Sequence, residues 1–274
     1  MIFTAFNDLV FKLFANRMRS LGGFVALVGC IGVASTLLIT DPSWGGSRQA
    51  TVAWGVAGGF FSVTANLLLV ASMARQSAGL CSSIYRLNMV FVVAGAWLLL
   101  GERISALQWC GIGCALAAIL CFIPTGTAEN DGRGKAGFAM AVAACLLRAG
   151  MGLAYKHGLN MGADKNSMAL ITHFAWIVGG ILFIALKERS MAWTRDAGAL
   201  KYSAVSGLLV SLVVLCMSWS LEAGDASLVL PIAQMSFLAT FLLSVVFLHE
   251  KCTPRKAAAL ALGAASILML SRGA

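Results

Sequence analysis

Two stretches of this chain are copies of one another. Residues 76–103 read QSAGLCSSIYRLNMVFVVAGAWLLLGER and residues 224–251 read GDASLVLPIAQMSFLATFLLSVVFLHEK. They align without a gap at an offset of 148 residues, setting Ala78 on Ala226, Ile84 on Ile232 and Glu102 on Glu250. Each copy is an apolar run of membrane length closed by an acidic-basic pair, Glu102-Arg103 or Glu250-Lys251. The same register runs back to Gly59 on Gly207 and Ser72 on Ser220. Further upstream a slightly smaller offset sets Phe11-Lys12 on Tyr155-Lys156. Periods this long mark duplicated structural units.

The duplicated unit is a set of membrane spans. Of the residues, 59% are hydrophobic and 11% charged, where soluble domains run to roughly 45–50% and 25%. Apolar runs of about 20 residues, enough to cross about 30 Å of hydrocarbon, recur along the chain. Hydropathy and turn signals predict spans over about 1–16, 21–40, 50–73, 77–100, 105–124, 136–159, 167–186, 198–221, 226–248 and 254–271. The polar stretch after Pro124, TGTAENDGRGK, separates five spans from five. The expected organisation is a first repeat over 1–124, a linker over 125–135 and a second repeat over 136–274. Five is odd, so the copies enter the membrane in opposite directions. The predicted fold class is therefore all-α: a polytopic membrane protein of ten transmembrane helices built from two inverted five-helix repeats.

Composition also narrows the function classes. The net charge of +9 comes from Lys and Arg scattered through short loops, where such residues set topology; this argues against nucleic acid as a partner. Of the eight cysteines, most sit within apolar runs as small packing residues, with no CxxC pair or Cys/His cluster to hold a metal. No nucleotide-binding glycine loop or catalytic triad is present, so no cofactor, metal or catalytic residue is expected and an enzyme is disfavoured. The N-terminus lacks the basic region and cleavage site of a signal peptide and reads as a retained first helix. That helix is short, because the alignment puts the partner of the sixth span's start ahead of Met1; the first helix begins inside the bilayer or the start codon lies upstream.

The fourth span of each half, ending in Leu100-Gly101-Glu102-Arg103 or His249-Glu250-Lys251, is followed by a fifth span rich in small residues. With Pro231 in the ninth span, Lys12 in Leu-Val-Phe-Lys and Lys156 in Leu-Ala-Tyr-Lys, the chain resembles the drug/metabolite transporter superfamily, EamA type. The first-half counterpart of Pro231 is Ser83, a departure from the pattern. The resemblance covers nearly the whole chain and implies a carrier working by alternating access, often exporting amino acids or related metabolites. It implies a multi-pass protein of the bacterial inner membrane with both termini in the cytoplasm. The basic residues point the other way. Arg17, Arg19, Arg133, Lys135, Lys187 and Arg189 are among those on loops opposite the termini, and they outnumber Arg48, Arg103, Lys156, Lys165 and Arg272 on the terminal side. The family orientation is retained.

Ionisable groups inside spans point to mechanism. Arg86 and Arg148 lie near the middle of the fourth and sixth spans, where an arginine costs about 2.5–3.5 kcal/mol on insertion scales and must face protein or a wet cavity. In the sixth span Arg148, Gly152, Tyr155 and Lys156 share one helical face; their first-span counterparts are Thr4, Asp8, Phe11 and Lys12. The expected substrate-binding set is Arg86, Arg148, Asp8, Gln234, Asn66, Asn88, Lys12 and Tyr155. The guanidinium forks match a carboxylate or phosphate, and Gln234 is the repeat counterpart of Arg86. Asp8 neutralises an arginine in the empty site, binds a substrate amine or carries a proton. The competing reading is a structural pair of Asp8 with one of the arginines. His173 reads as a packing residue, and Glu102 and Glu250 as helix-end groups.

These residues point to a secondary transporter of a small anionic or zwitterionic metabolite such as an amino acid. The alternative is a flippase or accessory membrane protein handling an anionic lipid headgroup. The partners expected are the small-molecule substrate, the lipid bilayer and protons, with the protein a monomer or a homodimer.

Overall fold

The computed structural model describes residues 2–14, 20–73, 75, 78–122, 132–188, 197–236, 238–239 and 254–272, and all secondary structure among them is helical. In chain order the helices are α1 (Ile2–Phe14), α2 (Leu21–Ile39), α3 (Arg48–Met73), α4 (Ala78–Arg86), α5 (Asn88–Leu99) and α6 (Ala106–Phe122). They continue with α7 (Gly132–Asn160), α8 (Lys165–Phe183), α9 (Ala197–Ala223), α10 (Ala226–Gln234) and α11 (Pro254–Arg272). Among the described residues five helices are long and apolar enough to cross a membrane, and three shorter apolar segments accompany them.

Two boundaries differ from the sequence expectation. α7 begins at Gly132, inside the stretch read as linker; hydropathy marks where the hydrocarbon starts, and backbone hydrogen bonding carries the helix past that point into the polar layer. The span expected over 77–100 is two helices, broken at Leu87. The rest of the linker and Glu250 lie outside the described residues.

The chain forms two compact units: Met1–Val63 with Ala154–Ala223, and Thr64–Leu153 with Gly224–Ala274. Each unit draws on both halves of the sequence.

In the first unit α2 packs on α8 and α9, and α1 on α9. The α2–α8 contact is made at glycines, as expected where close packing replaces a hydrophobic driving force. A methyl group at Gly32 would lie 2.2 Å from Cδ2 of His173. His173 is buried, and its Nδ1 pairs with Thr36 Oγ1 at 3.2 Å, so it is held as a packing residue. A π-helical turn, Ile184–Glu188, continues α8. It brings Glu188 to the start of α2, where the carboxylate accepts from Ser20 Oγ, from Leu21 N–H at 2.7 Å and from Gly22 N–H at 3.0 Å. At the other end of the same helices, Ser47 N–H donates to Gly162 O at 2.9 Å. There Lys165 pairs with Glu222, and Trp219 Nε1 donates to Asn166 Oδ1 at 3.1 Å. Loops after even-numbered spans thus gather at one end, while Ser20 and Glu188, from loops after odd-numbered spans, meet at the other. Successive antiparallel spans require that alternation.

In the second unit α6 packs on α11, and α10 on α5. Gly111 of α6 lies against Leu270 of α11. Clusters around Met89, Ala115, Ile119 and Met235, and around Cys81, Ile84, Ala141 and Cys145, tie these helices to α4 and α7. Glu102, buried after α5, accepts from the N–H groups of Ala226 and Ser227 at 2.9 Å each. It supplies the cap that Asp225, the residue at the N-cap of α10, does not.

Candidate functional site

The second unit contains a pair of matched helix breaks. α4 gives way to α5 at Leu87 (φ −64°, ψ −6°), and α10 stops at Met235 (φ −69°, ψ 0°). Leu87 and Met235 are repeat counterparts at the same offset of 148 as Arg86 and Gln234. The tightened bonding is also the same. Leu87 N–H bonds Ile84 O at 3.1 Å and Val90 N–H bonds Leu87 O at 3.0 Å; Met235 N–H bonds Ile232 O at 3.1 Å and Leu238 N–H bonds Met235 O at 3.0 Å. Pro231 precedes only the second break, with Ser83 in the equivalent place before the first, so proline is not their common cause. What they share is side chains competing for backbone acceptors, which loosens a helix locally. Asn88 Nδ2 donates to Tyr85 O at 2.6 Å, and Arg86 Nη1 donates to Gln234 O at 3.2 Å.

The side chains at the breaks join α4, α5 and α10. Arg86 Nη1 also donates to Ser236 Oγ at 3.2 Å, and Gln234 Nε2 donates to Asn88 Oδ1 at 3.1 Å. Asn88 and Ser236 are buried; Arg86 and Gln234 are half-buried. A guanidinium over the last carbonyl of α10 sits at the negative end of a helix dipole, which favours the charge.

Arg148 lies on the α7 face that makes the neighbouring contacts. Ala141 and Cys145 on that face pack with Cys81 and Ile84 of α4, and Gly152 lies against Leu230 of α10. Arg148 falls between these contacts in helical register, half-buried. Its Nη1 donates to Met151 Sδ at 2.9 Å. Among the described residues no carboxylate forms an ion pair with it. A thioether is a weak acceptor and carries no compensating charge.

The expected site residues therefore fall into two groups. Arg86, Arg148, Asn66, Asn88 and Gln234 belong to the second unit, with Asn66 half-buried on α3. Asp8, Lys12 and Tyr155 belong to the first. Asp8 and Lys12 lie in α1, and their side chains fall outside the described part of the structure. Tyr155 is fully buried, its hydroxyl shared with Thr172 Oγ1 and 3.3 Å from Met168 O, and its ring lies against Gly58. Lys156, one residue on, donates from Nζ to Leu221 O at 3.0 Å, near the C-terminus of α9. Ser236 was not among the residues singled out from the sequence. The signal was present, because Ser236 is the repeat counterpart of Asn88.

The EamA-like transporter family profile matches residues 1–123 and 135–272. An uncharacterized protein of Methanocaldococcus jannaschii is 33% identical over 104 residues, covering 36% of this chain and 75% of the relative. A solved crystal structure superimposes with a TM-score of 0.81 at 15% identity, covering 99% of this chain and 94% of the other, which is a likeness of fold. Two profile matches fall one on each half of a helical chain whose fourth and ninth spans break at equivalent residues: the protein belongs to the EamA-like transporter family, with the ten-helix inverted-repeat membrane fold of that family.

Proposed function

We propose that this protein is a secondary carrier of the bacterial inner membrane that moves a small anionic or zwitterionic metabolite, such as an amino acid, by alternating access without ATP hydrolysis. Family membership supports transport. The anionic character of the substrate rests on Arg148, an intramembrane guanidinium whose partner among the described residues is the neutral Met151 sulfur. A charge held there is stabilised when a substrate carboxylate or phosphate meets it. Arg86, Gln234, Asn88 and Asn66 are the other contacts proposed in the same unit. Asp8, Lys12 and Tyr155 are proposed from the first unit, with Asp8 as the proton carrier, and the protein acts as a monomer or homodimer.

Arg148→Gln is expected to reduce uptake of labelled glutamate, malate or glycerol 3-phosphate into proteoliposomes by on the order of tenfold or more, the worth of one charged hydrogen bond. Arg148→Lys should retain part of the flux, since it keeps the charge and loses the fork. Equal flux in wild type and Arg148→Gln at matched protein content would sink the anion reading. Separately, Asp8→Asn should abolish the response of transport to an imposed pH gradient. A response that survives removes Asp8 as the proton carrier.

A further inference from the structure

The side-chain bonds at the two breaks form a symmetric pair. The side chain at 86 donates to the side chain at 236, and the side chain at 234 donates to the side chain at 88. Exchanging the repeats exchanges 86 with 234 and 88 with 236, so each bond maps onto the other. The backbone follows the same rule, with matching three-residue bonds at Leu87 and Met235. The charge breaks the symmetry, because one helix supplies arginine and the other glutamine, and the acceptors also differ, Ser236 against Asn88.

We propose that the two breaks form one anion-binding locus whose cation can be delivered from either repeat. In it Arg86 determines the charge specificity, Gln234 and Asn88 remain the contacts proposed above, and Ser236 is a positioning residue. The inference rests on the anionic-substrate reading above and assigns that substrate's carboxylate or phosphate to the crossing of α4, α5 and α10. Both long side chains reach across to the opposite helix, so their polar ends occupy one region. With glutamine at 86 and arginine at 234, every bond has a replacement. The amide at 86 donates to Ser236 Oγ, and the guanidinium at 234 donates to Asn88 Oδ1 and to the carbonyl of residue 86. That carbonyl closes α4 just as the carbonyl of residue 234 closes α10, so the helix dipole favours the moved charge equally.

The test compares wild type, Arg86→Gln, and the double exchange Arg86→Gln/Gln234→Arg, purified in detergent and melted with and without malate, glutamate or glycerol 3-phosphate. The wild type should be stabilised by at least one of the three anions. In Arg86→Gln the apparent affinity from the melt should fall by on the order of tenfold or more. In the exchange it should return to within about threefold of wild type, the scale of a residual loss well under one hydrogen bond. A folded exchange that binds no better than Arg86→Gln overturns the shared locus while leaving the anion reading standing. A wild type stabilised by none of the three overturns the anion reading itself. Undiminished binding by Arg86→Gln removes Arg86 from the site and overturns the inference. The exchange is also scored directly against wild type, so the test does not depend on the single variant accumulating. Failure of the exchange to fold counts against the inference, because equivalent bonding is what it asserts.

Discussion

Gly32→Ala is expected to give a large loss of stability in the first unit, through the packing of α2 on α8. The new Cβ would lie 2.2 Å from Cδ2, 2.6 Å from Cγ and 2.9 Å from Nε2 of His173. The ring is flat and rigid, and its Nδ1 bond to Thr36 ties it back to α2. The clash is therefore relieved by separating the helices, not by a change of rotamer. Separation is opposed further along, where a methyl at Gly180 would meet Ala26 N at 2.5 Å and Gly22 O at 2.7 Å, backbone against backbone. Overpacking of this kind costs about 1–3 kcal/mol, and this site should lie at or beyond the upper end. The measurement is the thermal midpoint of purified protein, with Gly113→Ala as the control, since a methyl there meets nothing within 4 Å. His173→Ala added to Gly32→Ala should recover part of the loss. A Gly32→Ala midpoint equal to that of the control would show that the close approach is not needed.

Glu102→Ala is expected to have the second large effect, felt in the second unit. Removing the carboxylate leaves the N–H groups of Ala226 and Ser227 without their acceptor at a buried helix start, where water does not readily replace it. Hydrogen bonds to a charged group are worth about 1.5–3 kcal/mol each, and an anion at a helix N-terminus adds a few tenths to about 1 kcal/mol. The midpoint should fall by several degrees. Glu102→Gln should lie between, because the amide keeps one acceptor oxygen and turns an N–H group toward a backbone N–H. Equal midpoints for Glu102→Gln and wild type would show that the charge is unimportant and that one acceptor suffices.

Much of this was legible in the residues. Glu102 sits at the end of an apolar run beside a glycine, which is enough to read it as a helix-end group. The sequence does not say which helix it ends on, and that helix lies more than a hundred residues away. His173 read as a packing residue, but its meeting with Gly32 of α2 could not be anticipated because facing across a helix pair depends on crossing geometry. The breaks at Leu87 and Met235 carry no shared glycine or proline, so hydropathy reads straight through them. The side-chain bonds at them, Asn88 to the Tyr85 carbonyl and Arg86 to the Gln234 carbonyl, leave no mark in hydropathy. The candidate site follows the same division. Arg86 and Arg148 stand out because charge in hydrocarbon is costly wherever it occurs. Ser236 and the thioether of Met151 are ordinary residues that gain meaning only from what they touch.

By itself the sequence determined the number and apolar length of the spans, the duplication and its inversion, and the pairing of Arg86 with Gln234. These follow from one-dimensional facts: hydrocarbon thickness sets span length, and an odd number of spans per copy reverses the second. Only the tertiary structure decided that the compact units cut across the two copies, and that the fourth and ninth spans break at equivalent residues. It also decided that the arginine of one copy rests on the last carbonyl of the other copy's helix. Those outcomes depend on which helix faces meet, and short-range packing and hydrogen bonding fix that only once the whole chain has assembled.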